Sequence, residues 1–153
     1  MGTKRTVVLV LILALGFASL ASAQSNETID AILAEEEATA GSAAYTALTA
    51  AEMLDDESSP EKAVTMAQEA GWLPEAVGAK SEATFGMLAH LLMQAFEVKG
   101  GLMYRIFPGP RYAAREFVSQ GWSQVRREPG ETISGEFLLR VTGSFLESRE
   151  VTQ

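Results

Sequence analysis

The sequence predicts an all-α chain of helix-loop-helix repeats, about two and a half units, packed as a small helical bundle. Three observations predict it. Gly71-Trp72 recurs as Gly121-Trp122, 50 residues later. Gly86 and Phe96 recur as Gly135 and Phe145, 49 residues later, and Ala38-Thr39-Ala40-Gly41 reads like Ala83-Thr84-Phe85-Gly86, offset by 45. Between these landmarks the apolar residues fall at helical spacing. Periods of this size belong to stacked supersecondary units, each able to bury its apolar face only against a neighbour.

Each element has a local reason. Residues 24–37 are polar and acidic, with Ile29, Ile32 and Leu33 at i, i+3, i+4, which predicts a short amphipathic helix. The run Glu35-Glu36-Glu37 reads as a solvated face. Residues 38–54 are alanine-rich and therefore strongly helix-forming. Asp55 to Pro60 breaks that helix. Ser59 caps the next one, with Pro60 at its first position, and Gly71 is suited to end it. A loop follows over 73–81. Ser81 then opens a helix whose stripe is Phe85, Leu88, Leu92 and Phe96, ending at Lys99-Gly100-Gly101. Residues 102–107 read as a short strand or an extended tether, and Pro108-Gly109-Pro110 as a rigid turn. A helix runs from about Arg111 to Gln120. After a loop around Pro129-Gly130, Thr132 or Ser134 caps a last helix that buries Phe137, Leu138, Val141 and Phe145. Gly41, Gly86 and Gly135 recur although a glycine within a helix costs about 0.5–1 kcal/mol against alanine. Their recurrence predicts close backbone approach, with three helices converging on an axis.

The domain plan is a signal peptide at 1–23, an acidic segment at 24–37, the repeat domain at 38–148 and a tail at 149–153. Lys4 and Arg5 give a positive start, Val7 to Leu15 an apolar run, and Ala21-Ser22-Ala23 a small-residue cleavage site. The alternative for this stretch is a retained membrane anchor. The 153 residues include no cysteine, so no disulfide staples the fold. Export without cysteine suits a bacterial periplasm or cell envelope. Charge is uneven: residues 24–97 carry 14 acidic and 2 basic side chains, and residues 98–153 carry 6 and 8. Attraction between the two halves would account for this blandly; a binding face is the sharper account. The formal net charge of -8, with an export signal, argues against nucleic-acid binding.

The unit resembles a surface-layer homology domain. Phe107-Pro108-Gly109-Pro110-Arg111-Tyr112-Ala113 is similar to that family's Phe-Pro-Asp-Val opening and its following aromatic-alanine pair. Pro129-Gly130-Glu131-Thr132-Ile133-Ser134 is similar to the segment before its second helix. The resemblance covers roughly residues 38–148 and implies a helical module that binds a component of the cell envelope. In the family, Thr-Arg-Ala-Glu opens the second helix, and its arginine helps bind anionic wall polysaccharide. Glycine stands at the expected arginine position here: Gly41, Gly86 and Gly135. Glycine offers no guanidinium for a bidentate pair, so the family's ligand does not follow from the resemblance.

The candidate ligand-binding residues are Arg105, Arg111, Arg115, Arg126 and Arg127, which fall around one turn, helix and loop. They can receive an anionic glycan, a lipid headgroup or an acidic protein surface; pairing with the acidic half of the chain is the alternative. Trp72 and Trp122 read as matching core plugs rather than sugar-stacking platforms. His90 is the single histidine and, with no cysteine, makes no zinc set, so it reads as a packing residue. Asp55-Asp56-Glu57 lacks the alternating spacing of a calcium loop. No nucleophile elbow or phosphate loop is present. The expectation is a non-enzymatic, cofactor-free exported module that binds an envelope glycan or envelope protein, with membrane contact only through the signal segment. A subunit that recognises another envelope protein, through Leu102, Met103, Ile106 and Phe107, is the second expectation.

Overall fold

A computed structural model describes residues 27–150. The signal segment and cleavage point expected at 1–23 lie outside the described residues, as does most of the expected tail. Among the described residues the chain is all-helical, a small helical bundle. Helix α1 covers 27–33. It is followed by α2 (Ala40–Ala50), α3 (Pro60–Glu69), α4 (Phe85–Ala95), α5 (Leu102–Ile106), α6 (Pro110–Ser119) and α7 (Gly135–Glu150). Residues 102–107, expected as a strand or tether, are thus mostly a helical turn. Gly71 and Gly121 end α3 and α6 in the left-handed conformation, both at φ 76°.

Three helices, α2, α4 and α7, pack against one another, and each carries a shorter one. Helix α3 lies on α2 and α6 lies on α4. Helix α1 abuts the start of α7, where a Cβ on Gly135 would overlap the Ile32 carbonyl. The arrangement closes on itself through backbone hydrogen bonds. Ala38 N–H donates to Ile133 O at 2.7 Å, Ile133 N–H to Ala83 O at 3.2 Å, and Ala83 N–H to Ala38 O at 2.7 Å. This three-membered ring, rather than a meeting of glycines, marks the axis on which the three long helices begin.

Helix starts leave N–H groups without intrahelical partners. Here the neighbour's loop supplies carbonyls for them. Ala40 and Gly41 donate to Ser81 O and Ala79 O, at 2.7 and 2.8 Å. Phe85 and Gly86 donate to Glu131 O and Pro129 O, at 3.0 and 2.9 Å, and Gly135 donates to Glu35 O at 2.9 Å. A side-chain hydroxyl meets the next donor: Thr39 accepts from Ser42 N, Thr84 from Met87 N and Ser134 from Phe137 N. Thr84, not Ser81, therefore caps α4; Ser81 Oγ accepts from Gly78 N inside the loop.

These caps correct the sequence register. Counted from them, Gly41 and Gly86 are the second residue of their helices, but Gly135 is the first. The 49-residue spacing aligned glycines that do not correspond. The first helical position, where the resemblance expects arginine, is held by Ala40, Phe85 and Gly135. Phe96 and Phe145 likewise are not equivalent; they touch, with ring centroids 5.3 Å apart.

The N-terminal acidic run is not simply solvated. Glu35 accepts from Thr39 N at 3.1 Å and from Ser42 Oγ at 2.8 Å, tying α1 to α2, and Ile32 is buried in the core. The core itself runs from Tyr45 and Leu48 through Leu88, Leu91 and Leu92 to an aromatic group. There Phe85 meets Phe117 and Phe137 edge-on, while Phe117 and Phe145 stack 5.3 Å apart. Trp72 and Trp122 are half-buried against this core, not enclosed plugs.

Candidate functional site

The arginines belong to α6 and the loop that follows it. Helix α6 buries Ala113, Ala114 and Phe117, so its helical pitch turns Arg111 and Arg115 to the opposite, solvent side. The chain turns at Gly121, and the loop brings Arg126 and Arg127 back alongside. Arg111, Arg115, Arg126 and Arg127 all line one open cleft of about 730 Å³, with Val118, Ser119, Glu128 and Pro129 on its walls. Arg105 does not join them. It is exposed on α5.

Comparison of α3 with α6 explains the opening. In α3 the amide of Gln68 donates to Pro74 O, Glu75 O and Val77 O, at 3.1, 3.3 and 2.9 Å, and clamps its loop against the helix. Val118 stands 50 positions later, packed against the core, with no amide to offer. The helix face around Gln68 carries Glu61, Thr65 and Glu69 where α6 carries Arg111, Arg115 and Ser119. The α3 face is thus clamped and acidic, and the α6 face open and basic.

Direct pairing with the acidic half does not hold the arginines. Among the described residues the ion pairs are Arg127 with Glu131 and Arg140 with Glu136 at 3.5 Å, both four residues apart. Neither crosses between the halves. Arg127 is the most constrained of the cleft residues. Its guanidinium lies 4.4 Å from the Phe137 ring centroid, and its Nε is enclosed without a hydrogen-bond partner. Arg115 lies 5.7 Å from the Tyr112 ring centroid. Neither has its charge neutralised by a ring, so the cleft presents guanidinium donors that suit carboxylate or phosphate oxygens.

The remaining candidates resolve as packing. His90 is buried in α4, and its Nδ1 lies 3.0 Å from Tyr104 Oη, which also accepts from Gln94 Nε2 at 3.1 Å. Burial lowers the His90 pKa and raises that of Tyr104. The neutral imidazole and the Tyr104 hydroxyl thus share one hydrogen bond, and the direction of that bond follows from which ring nitrogen carries the proton. Among the described residues no group of three or more His, Asp or Glu side chains is placed to hold a metal ion. No helix among them is long and apolar enough to cross a membrane. Comparison with protein-family models, curated proteins and solved structures finds no match to this chain.

Proposed function

We propose that this chain is an exported, non-enzymatic helical module of the surface-layer homology type that binds an anionic component of a bacterial cell envelope, a glycan or an acidic envelope protein. On this reading α1 with α2, α3 with α4, and α6 with α7 are divergent copies of one unit, the third being the binding unit. The observation that carries the reading is the convergence of Arg111, Arg115, Arg126 and Arg127 on one cleft in which only Arg127 has a carboxylate partner. Guanidiniums left unpaired at the wall of a cleft supply the donors an anionic group needs.

The contact cannot follow the Thr-Arg-Ala-Glu pattern, because Ala40, Phe85 and Gly135 begin the three long helices. A family-like glycan contact would have to be replaced by the cleft. Sedimentation with purified cell walls, and capture on anionic glycan fragments, tests this. The expected result is retention that weakens as salt rises, because exposed charges are screened beyond about 10 Å at 0.1 M salt. Retention should be lost when the four arginines are changed to glutamine. Salt-insensitive retention that survives those changes would place the site elsewhere.

A further inference from the structure

We propose that α5 and the arginines beside it form a docking face for an anionic lipid surface, with the apolar side chains of α5 entering the headgroup boundary and the cleft arginines holding lipid phosphates. This rests on the reading of the cleft as an anion site, and departs from the expectation that membrane contact is confined to residues 1–23.

The first observation is a ridge that the core does not use. Leu102, Met103, Ile106 and Phe107 are exposed to 70%, 55%, 55% and 61%. Residues four apart share a helix face, so Leu102 with Ile106 and Met103 with Phe107 form two adjoining rows. Scattered apolar residues on a surface need no explanation, but four on one turn make a patch. The turn is held outward by an anchor: Tyr104 is buried, and its hydroxyl is fixed by His90 and Gln94.

The second observation is charge. Residues 98–131 contain Lys99, Arg105, Arg111, Arg115, Arg126 and Arg127 against Glu116, Glu128 and Glu131, a net of +3. Residues 27–97 contain 14 acidic and 2 basic side chains. An anionic bilayer repels that acidic surface and admits the molecule by its basic side. The third observation is continuity. Phe107 stacks on Tyr112, with ring centroids 6.4 Å apart, Arg115 lies against that same ring, and Arg115 lines the cleft. Projecting apolar groups bordered by guanidiniums match a membrane interface, where apolar side chains enter the acyl boundary and arginines reach phosphates. A protein partner would need an apolar socket and a matching acidic rim; an anionic bilayer supplies both without shape matching.

The native chain has no cysteine, so a single label can report locally. The full chain carrying Met103→Cys, labelled with an environment-sensitive fluorophore, is mixed with vesicles of phosphatidylglycerol and phosphatidylcholine. Thr65→Cys on the exposed side of α3 serves as the control. A local label separates contact at α5 from any contact made through the apolar run at residues 7–15. We expect a blue shift and a severalfold brightening at position 103 and none at 65. Raised salt, neutral vesicles, or glutamine at the four cleft arginines should reduce the response. An unchanged label on anionic vesicles, an equal response to neutral ones, or an undiminished response in the four-glutamine variant overturns the proposal. A response that needs no vesicles and grows with protein concentration overturns it in favour of a second copy covering the ridge. Binding of soluble anionic glycan with a silent label leaves the cleft reading standing without the docking face; loss of both removes both.

Discussion

The amide of Gly86 and the carbonyl of Pro129 are 2.9 Å apart, and a methyl group on Gly86 would stand 2.7 Å from that same oxygen. The added carbon would also lie 2.8 Å from Pro110 O. Both obstacles are backbone, so neither can swing aside. Glycine is required here by the approach of a neighbouring loop, not by backbone conformation.

Gly86→Ala should therefore destabilise the fold by about 1–3 kcal/mol, the range of an overpacked site. Gly143 provides a change of opposite sign. It lies within α7 with nothing within 4 Å of the position of a Cβ. Gly143→Ala should stabilise by about 0.5–1 kcal/mol through helix propensity. Denaturant midpoints of the two variants, measured beside the parent, check both signs. Equal effects would mean that the loop at Pro129 yields.

The two tryptophans should not be equivalent in energy. Both are half-buried, but Trp122 meets Phe117 and Phe145 edge-on, with centroids 5.2 and 5.1 Å away. Each such pair contributes about 0.5–1.5 kcal/mol beyond area burial. Trp122→Ala should cost more than Trp72→Ala, and both should cost less than the roughly 3–5 kcal/mol of a fully enclosed aromatic. Chemical unfolding of the two variants decides the order.

Stability should fall on mild acidification in a way that His90 controls. Burial lowers the folded-state pKa of His90 below its ordinary value of 6.5. The unfolded chain then takes up the proton first as pH falls. The stabilising contribution is complete above about pH 6.5 and is lost as pH drops through that value towards and past the folded pKa. The protonated ring would sit buried against Tyr104, the residue that anchors α5, so α5 should loosen with it. Thermal midpoints of the parent and of His90→Gln, compared between pH 7.5 and 5, test this. The parent should lose more of its stability over that interval than the variant does.

Gln68→Val should free the loop at 74–77. One side chain clamps three carbonyls there, and net hydrogen-bond contributions of about 0.5–1.5 kcal/mol make the expected loss small. Amide exchange is the better measure. Faster exchange confined to that loop is expected, and unchanged protection would show that the backbone holds itself.

Much of the helical layout was legible because it depends on local chemistry. Ser59 and Pro60 start α3, and Gly71 and Gly121 end two helices, for reasons within a few residues of each site. The register of the glycines was not legible. Gly86 and Gly135 look equivalent as letters, but the equivalence is set by which hydroxyl caps the helix, and Ser134 sits directly before its glycine while Thr84 does not. Glu35 was misread for a similar reason: its partners, Thr39 and Ser42, become neighbours only once α1 folds back. That Arg111, Arg115, Arg126 and Arg127 lie near one another was legible from their clustering around one helix and its loop. Arg105 could not be separated from them, because residues 102–107 lack the length to reveal a helical period.

The ring of hydrogen bonds through Ala38, Ala83 and Ile133 sets a limit on how many helix pairs the bundle can hold. An open stack of helix pairs gains or loses a pair at its ends without disturbing the rest. A closed ring has no end at which to add one. A fourth pair would have to break a bond in the ring to enter, and removal of any pair would leave a carbonyl and an amide facing nothing. Sequence changes that keep the ring intact are therefore confined to the outward faces and to the connections between pairs. Both α5 and the arginine cleft lie in those places.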